Sequence, residues 1–506
     1  MTEHPKTSTA RSLPAGWCWA TLDQLFSSIT DGDHSAPPQV EEGIPLLVIG
    51  DVRGGIIDFS DTRYVARDYY AAIGESRKPR KGDLLYTVTG SFGIPVVVES
   101  DREFCVQRHI AILKPVTEAS VRYLAFALAT TEAYYQAVDA ATGTAQKTVG
   151  LQRLRQFQVP LATVREQRRI VEALESYFTR LDDAEATLER VERNLKRYRA
   201  SVLKAAVEGQ LVPTEAALAK QEGRSYEPAS VLLERILAER RRRWSESGKK
   251  GKYEETPPPD TANLSDLPQG WCWATIPQLG ELNRGKSKHR PRNDPRLLGG
   301  SYPFIQTAEV RHSECFIETH ESTYSEFGLA QSRLWPAGTL CITIAANIAE
   351  TGILKFSACF PDSIVGFLQE NATLTRYVEL FLRTARERLS QYAPATAQKN
   401  INLQVLSEVA VPLPPAAEQE RIVRKIDQHM SVARHVEAVV AAEIARSKKL
   451  RQSLLKWAFE GKLADQDPKE EPASVLLERI KAERRRSKAV TDAAPPRAAK
   501  KKQVRA

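Results

Sequence analysis

At 506 residues the chain is too long for one core and suits two domains with connections. Hydrophobic content of 42% is globular, and a formal net charge of +9 leans towards an anionic partner, most often nucleic acid, with a solvated basic surface as the plainer reading. Met1-Thr2-Glu3-His4-Pro5-Lys6 lacks the apolar run of a signal peptide, no stretch reaches the length of a membrane span, and the six cysteines (Cys18, Cys105, Cys272, Cys315, Cys341, Cys359) form no CxxC pair, which predicts a reduced, cytoplasmic protein away from membranes, with no zinc-ribbon or redox site.

The chain is written twice. Leu13-Pro14-Ala15-Gly16-Trp17-Cys18-Trp19-Ala20-Thr21 returns as Leu267-Pro268-Gln269-Gly270-Trp271-Cys272-Trp273-Ala274-Thr275. Trp17 alternates with Trp19, and Trp271 with Trp273, so each pair is expected on one face of an opening strand. Short β-rich runs follow at Ile44–Ile49, Asp83–Val88 and Ile94–Val98, and in the second copy at Tyr302–Ile305 and Thr339–Ile344. Gly82 and Gly338 mark equivalent turns into a strand. A short helix is expected near Ser120 to Ala137 and near Leu374 to Ser390.

A second set of repeats closes each region. Gln146-Lys147 matches Gln398-Lys399, Val159-Pro160-Leu161 matches Val411-Pro412-Leu413, and Glu166-Gln167 with Arg169-Ile170-Val171 matches Glu418-Gln419 with Arg421-Ile422-Val423. The period then changes from 2 to a heptad. Ile170, Leu174, Tyr177, Leu181, Ala184, Leu188, Val191, Leu195, Tyr198, Val202 and Ala205 step by 4 and 3, a coiled-coil seam on a helix of about 60 Å. The second copy reads Ile422, Ile426, His429, Ala433, Val436, Val440, Glu443, Ser447, Leu450, Leu454 and Trp457. Gly209 and Gly461 fit left-handed C-caps. Matched seams in one chain predict an antiparallel pair.

The expected class is therefore α+β: two α/β domains joined by two long antiparallel coiled-coil helices, with an internal pseudo-twofold repeat. The boundaries fall at 1–158, 159–212, 213–266, 267–410, 411–464 and 465–506. The connector 213–266 carries Glu227–Ile236, repeated letter for letter at Glu471–Ile480, and the basic run Arg240-Arg241-Arg242-Arg243. Val231, Leu232 and Ile236, like Val475, Leu476 and Ile480, share one helical face, which docks either on the chain's own rod or on a partner. Ala494 to Ala506 reads as a basic, disordered tail.

Catalytic signatures are missing: no GxxxxGK[ST] loop, no Gly-rich cofactor turn, no nucleophile elbow and no HExxH. Nor is there an Asn-Pro-Pro-aromatic run of the kind amino-methyltransferases use on a flipped base. Asp31-Gly32-Asp33-His34 reads as a polar turn rather than a metal cluster. The positive signals concern DNA. Arg77, Lys78, Arg80 and Lys81 form a dense basic loop, and Gln107, Arg108 and His109 occupy a strand position. Arg284, Lys286, Lys288, His289, Arg290, Arg292 and Asn293 form the second basic segment. Arg and Lys suit phosphates and guanine edges, while Gln and Asn suit adenine. Gln146-Lys147 and Gln398-Lys399, recurring in both copies, suit backbone phosphate contact, against a repeated loop-to-rod hydrogen bond.

Taken in order, these residues resemble the DNA-specificity subunit of type I restriction–modification systems. The Leu-Pro-x-Gly-Trp-x-Trp openings carry the resemblance, with the Asp31–His34…Pro37 turn, the Lys81-Gly82-Asp83-Leu84-Leu85 entry and the Val-Pro-Leu…Glu-Gln…Arg-Ile-Val junctions. It covers roughly 13 to 212 and 267 to 464. It implies two target recognition domains, each reading one half of a bipartite, asymmetric sequence in double-stranded DNA. It implies that the helices fix the spacer and seat two methyltransferase subunits holding S-adenosylmethionine. Two motor-nuclease subunits with ATP and magnesium would complete a restriction complex, and whether such a partner exists the sequence leaves open. The chain itself would bind no cofactor or metal and catalyse nothing. A coiled-coil adaptor that binds only protein is the rival, as is an enzyme with degenerate motifs.

Overall fold

The computed structural model describes residues 12–33, 37–116, 120–144, 146–248, 251–345, 349–391 and 401–492. It divides into two compact units, 1–188 with 442–506, and 189–441. Four helices recur below: α1 (Val164–Val207), α2 (Ala229–Glu246), α3 (Ala416–Phe459) and α4 (Ala473–Asp492).

In the first unit, β1 (Cys18–Thr21) opens the fold, followed by β2 (Phe26–Asp31), β3 (Leu84–Thr87), β4 (Pro95–Val97), β5 (Ile110–Pro115) and β6 (Gln158–Leu161). The opening strand pairs antiparallel with β6, Cys18 against Leu161. The Trp flag and the Val-Pro-Leu junction are thus two halves of one ladder, which is why they repeat together. The main sheet runs β2-β5-β3-β4. Its faces meet different cores. Leu84, Tyr86, Ala111 and Leu113 point to the helices, while Leu85, Ile110 and Ile112 meet Leu47, Val52 and Phe104. Burial on both faces explains the nearly continuous apolar strands.

The second unit repeats this plan with β7 (Cys272–Thr275), β8 (Glu281–Arg284), β9 (Phe316–Ile317), β10 (Leu340–Thr343), β11 (Thr351–Leu354), β12 (Ile364–Leu368) and β13 (Ala410–Leu413). Cys272 pairs with Leu413, and the sheet order is β8-β12-β10-β11-β9. The first four strands match β2-β5-β3-β4 one for one, and β9 is an addition, parallel to β11. Two sequences that barely match therefore build one sheet.

Several expectations change. Trp17 is buried but Trp19 is 43% exposed, because Trp17 lies in the turn before the strand rather than on its face. The helix expected near 120–137 is two, Val121–Leu128 and Thr131–Ala140, broken at Thr130, whose hydroxyl accepts from the Ala133 amide and caps the second.

The buried faces of the long helices carry Ile170, Leu174, Leu181, Leu188 and Leu195, and Ile422, Ile426 and Leu454, of the expected seam, but drift from the strict heptad. On α1 the face runs Ile170, Leu174, Phe178, Leu181, Glu185, Leu188, Glu192, Leu195, Arg199, Val202, Ala206. On α3 it runs Ile422, Ile426, Met430, Ala433, Glu437, Val440, Ile444, Ser447, Arg451, Leu454, Ala458. In each, ten steps cover 36 residues where a strict heptad covers 35, so the stripe keeps the 3.6 period of a straight helix. Leu450, assigned to the seam, is 41% exposed, and Tyr177, Tyr198 and Trp457 are exposed too. Val436, Leu181, Leu188 and Leu195 are half-buried. Polar groups on and beside the stripe pair between the helices. In the first unit Arg451 pairs with Asp182 at 2.5 Å, and Ser447 donates to Glu185 at 2.5 Å. In the second, Arg199 pairs with Glu437 at 2.7 Å. The order of the two contacts in the first unit makes the local pairing antiparallel.

The repeated segments α2 and α4 dock within the chain. The Ala229 amide donates to the Gly270 carbonyl at 2.8 Å, and the Ala473 amide to Gly16 at 2.8 Å. Further along, Arg240 donates to the Pro277 carbonyl, and Arg484 to those of Asp23 and Phe26. Each helix is anchored to the turn before an opening strand by its first residue and to the segment just after that strand by an arginine. Val231 and Val475 do not join the docked face but are exposed.

Candidate nucleic-acid interface

Each main sheet ends in a hairpin of one design. In the first unit the Thr87 hydroxyl accepts the Ile94 amide at 2.9 Å, and the Gly93 amide donates to the Thr87 carbonyl at 3.0 Å. In the second the Thr343 hydroxyl accepts from Glu350 at 3.0 Å, and Ala349 donates to the Thr343 carbonyl at 2.8 Å. The flanking strands tie down each tip in the same way. The Val88 amide donates to His109 and the Ile344 amide to Ser363, while the Val149 and Ile401 amides donate back to the Val88 and Ile344 carbonyls. Gly93 has φ 94°, and Ala349, in the same place, has φ 58°. A non-glycine residue there stores strain at the tip.

Around the first tip, other loops converge. Gly90 donates to the Lys147 carbonyl at 3.0 Å, which places exposed Gln146 and Lys147 beside the hairpin. The Gln107 and Arg108 amides donate to the Leu47 and Asp33 carbonyls, and Ile110 donates back to Gln107. Gln107, Arg108 and His109 are therefore a tight turn between strands, not a strand position. Arg108 is exposed. Burial, and then the Arg108 charge, hold the His109 imidazole below its ordinary value, which favours its neutral form over the cation. Phe92 stacks on Tyr134 at the same end, with centroids 6.0 Å apart. Gly93 lies against that ring, and the two spaced glycines, Gly90 and Gly93, were the signal for this tip that sequence reasoning passed over.

The Arg77–Lys81 segment behaves differently. Lys78 is 6% exposed, donates to Glu75 at 2.7 Å and sits over the Tyr70 ring. Its side chain is thus buried and spent on the fold. Arg80 pairs with Glu75 at 3.1 Å and Lys81 with Asp101 at 3.0 Å. Lys81 precedes β3 and so lies at the far end of the strand from the tip, while Arg77 reaches back to Asp31 at 3.7 Å. The Asp31-Gly32-Asp33 turn is ordered by Tyr69, whose hydroxyl donates to Asp33 at 2.6 Å. Among the described residues no group of three metal-ligating side chains occurs. His34 lies outside the described residues.

In the second unit the basic segment leaves β8 beside the tip, where Gly285 donates to the Ile364 carbonyl at 2.8 Å. Part of it is spent on the fold. Arg284 donates to the Asp362 carbonyl, Arg292 pairs with the Asp362 carboxylate at 2.6 Å, Arg290 turns back onto Ser287, and His289 contacts Asp294 at 2.8 Å. Lys286, Lys288 and Asn293 are exposed. Gln398 and Lys399 lie outside the described residues. The run Arg240–Arg243 is also tied up: Arg241 pairs with Glu255, Arg242 with Glu239 and Arg243 with Glu370.

Comparison with known proteins decides the family. The model of the type I restriction modification DNA specificity domain matches twice, over residues 40–193 and 268–444. The chain belongs to this family. The EcoBI specificity subunit of Escherichia coli is 25% identical over 496 residues, covering 94% of this chain and 93% of that protein. The EcoKI specificity subunit of Escherichia coli strain K12 is 24% identical, covering 94% and 97%. A chain from a solved structure on complex assembly and conformational transition of the type I R-M system shares the fold, at a TM-score of 0.59 and 20% identity over 89% of this chain and 99% of that one. No helix among the described residues is long and apolar enough to cross a membrane.

Proposed function

We propose that this chain is the sequence-reading subunit of a type I restriction–modification complex. Each unit presents its hairpin tip to one half of a bipartite, asymmetric DNA target. The observation that carries the reading is the pair of tips: one hydrogen-bond frame, built twice, carrying unlike side chains. A shared frame gives two heads the same approach to a duplex, and unlike loops give them different bases to read. Exposed Lys147, Arg108, Lys286 and Lys288 suit phosphate contacts, and Gln107, Gln146 and Asn293 suit base edges.

In this reading α1 and α3 set the spacer and seat methyltransferase subunits, which bring S-adenosylmethionine and methylate adenine. Motor-nuclease subunits with ATP and magnesium are the further partners of a restriction complex in the cytoplasm. The chain catalyses nothing itself. A protein-only adaptor accounts for the helices but leaves the duplicated tips, and the basic loops beside them, without a role.

Long-read methylation mapping tests the proposal, comparing cells that express this chain with its methyltransferase against cells with the methyltransferase alone. Adenine methylation at a gapped two-part sequence, present only with this chain, is the expected result. No new methylation from a pair that co-purifies would overturn it.

A further inference from the structure

The two units differ at one sheet edge. In the second, β9 lies along β11, where the Ile353 amide donates to the Cys315 carbonyl at 2.8 Å and the Lys355 amide to Ile317 at 3.1 Å. The equivalent strand in the first unit is β4. The inward bonds correspond: Leu354 donates to Thr339 as Val98 donates to Asp83, and Gly338 to Leu354 as Gly82 to Val98. Ladder alternation then points the Val97 and Glu99 amides outward, as it does those of Ile353 and Lys355. Among the described residues neither amide has a hydrogen-bond partner.

The place of β9 in the chain order is taken by a hairpin, Val52–Arg53 with Ile56–Ile57. It stands beside β4 without bonding to it. Ile57 is held in the core under the sheet, and the Asp58 amide donates to Asp51 at 2.8 Å, so the hairpin is pinned where it is. A cleft of about 1140 Å³ in the second unit reaches the filled edge, where Phe316 of β9 and Ile353 and Leu354 of β11 border it; in the first unit a cleft of about 810 Å³ runs along the open edge. Ile94 and Val97 of the edge, Ile56 and Ile57 of the hairpin, and Phe178 and Leu455 of the long helices line it.

We propose that this edge is a strand-addition site for an extended segment of the methyltransferase subunit, a step that rests on the function proposed above. The second unit supplies the chemistry of the occupant by filling the same edge from its own chain: a short strand, parallel to β4, whose carbonyls take the Val97 and Glu99 amides and whose alternate side chains are apolar. The cleft is continuous with the long helices on which that partner is seated, so one partner reaches both. Pro95 has no amide to offer and limits the addition to the end of β4 away from the tip.

Amide hydrogen exchange on the full chain, alone and with its methyltransferase, tests this. In the free chain Ile353 and Lys355 should exchange slowly and Val97 and Glu99 fast. In the complex Val97 and Glu99 should slow by at least tenfold. Glu99→Pro removes one outward amide without touching the inner ladder, and Glu99→Ala removes only the carboxylate that pairs with Arg122 at 2.8 Å; relative to Glu99→Ala, the proline should weaken the methyltransferase complex about tenfold, the loss of one hydrogen bond, with the thermal transition unchanged. If α1 and α3 become protected while Val97 and Glu99 exchange as in the free chain, strand addition is wrong and the seat on the helices stands. If no complex forms at all, the reading beneath it fails first.

Discussion

Trp17 donates its indole N–H to Glu166 at 2.7 Å, and Trp271 makes the same bond to Glu418 at 3.0 Å. The bond joins the turn before each opening strand to the first turn of each long helix. Both carboxyls are pushed above the ordinary glutamate range, by burial first, against the opposing pull of the indole bond. A raised carboxyl favours the protonated fold. Its contribution is whole below the unfolded value, about 4.3, and is lost as pH rises through the higher native value. Glu166→Gln keeps an acceptor for the indole and cannot ionise. Its melting temperature relative to the parent should therefore rise between pH 4.5 and 7.5. A constant difference across that window would refute the assignment.

The buried stripe of α1 makes neighbouring residues unequal. Phe178 packs edge-on to Phe126 at 5.6 Å under the Arg451 guanidinium, while Tyr177 faces solvent. Phe178→Ala should cost about 2 kcal/mol, below the figure for a fully buried ring, and Tyr177→Ala no more than about 0.5 kcal/mol. Urea unfolding followed by circular dichroism measures both, and the reverse order would restore the heptad seam.

That pair shows what the sequence could and could not disclose. The duplicated frame was legible because each repeated motif has a fixed partner: the Trp flag needs the Val-Pro-Leu strand, and Glu166 needs Trp17. The face of the helices was ambiguous because apolar residues sit side by side, Tyr177 with Phe178 and Trp457 with Ala458, so 3.5 and 3.6 periods fit equally well until packing chooses. Lys78 was misread because its burial comes from Tyr70 and the sheet behind it, which no local pattern reveals. A two-residue strand such as β9 leaves almost no signature, since strand propensity depends on neighbours.

The tips invite a paired substitution. Ala349→Gly relieves a left-handed backbone and should stabilise the second unit by up to about 1 kcal/mol. Gly93→Ala meets the Tyr134 ring, 2.9 Å from the new carbon, and adds strain at φ 94°, so it should destabilise the first unit by more than that. Denaturant midpoints of the two variants should move in opposite directions.

Lysines 78 and 147 separate fold from function. Lys147→Ala should weaken DNA binding across sequences and lower the slope of log K against log salt by about 1, as one phosphate contact is lost. Lys78→Ala should leave that slope alone and lower the melting temperature, through the lost packing on Tyr70 and the lost bond to Glu75. A salt-titrated fluorescence anisotropy series, with melts alongside, reads both.

The carbonyl grip of Arg484 on Phe26 joins positions 458 residues apart. A ribosome moving at about 5–20 residues per second needs on the order of a minute to bridge that interval. Throughout it, Trp17, Leu22 and Leu25 are made but lack Leu476, Leu477 and Ile480, the last pieces of their core. The unit encoded in the middle of the message, 189–441, has all its parts well before the one encoded at its ends. Birth order and completion order are thus inverted: the first-made domain is the last finished, and the nascent chain carries an open apolar seam that invites chaperones until the final helix emerges.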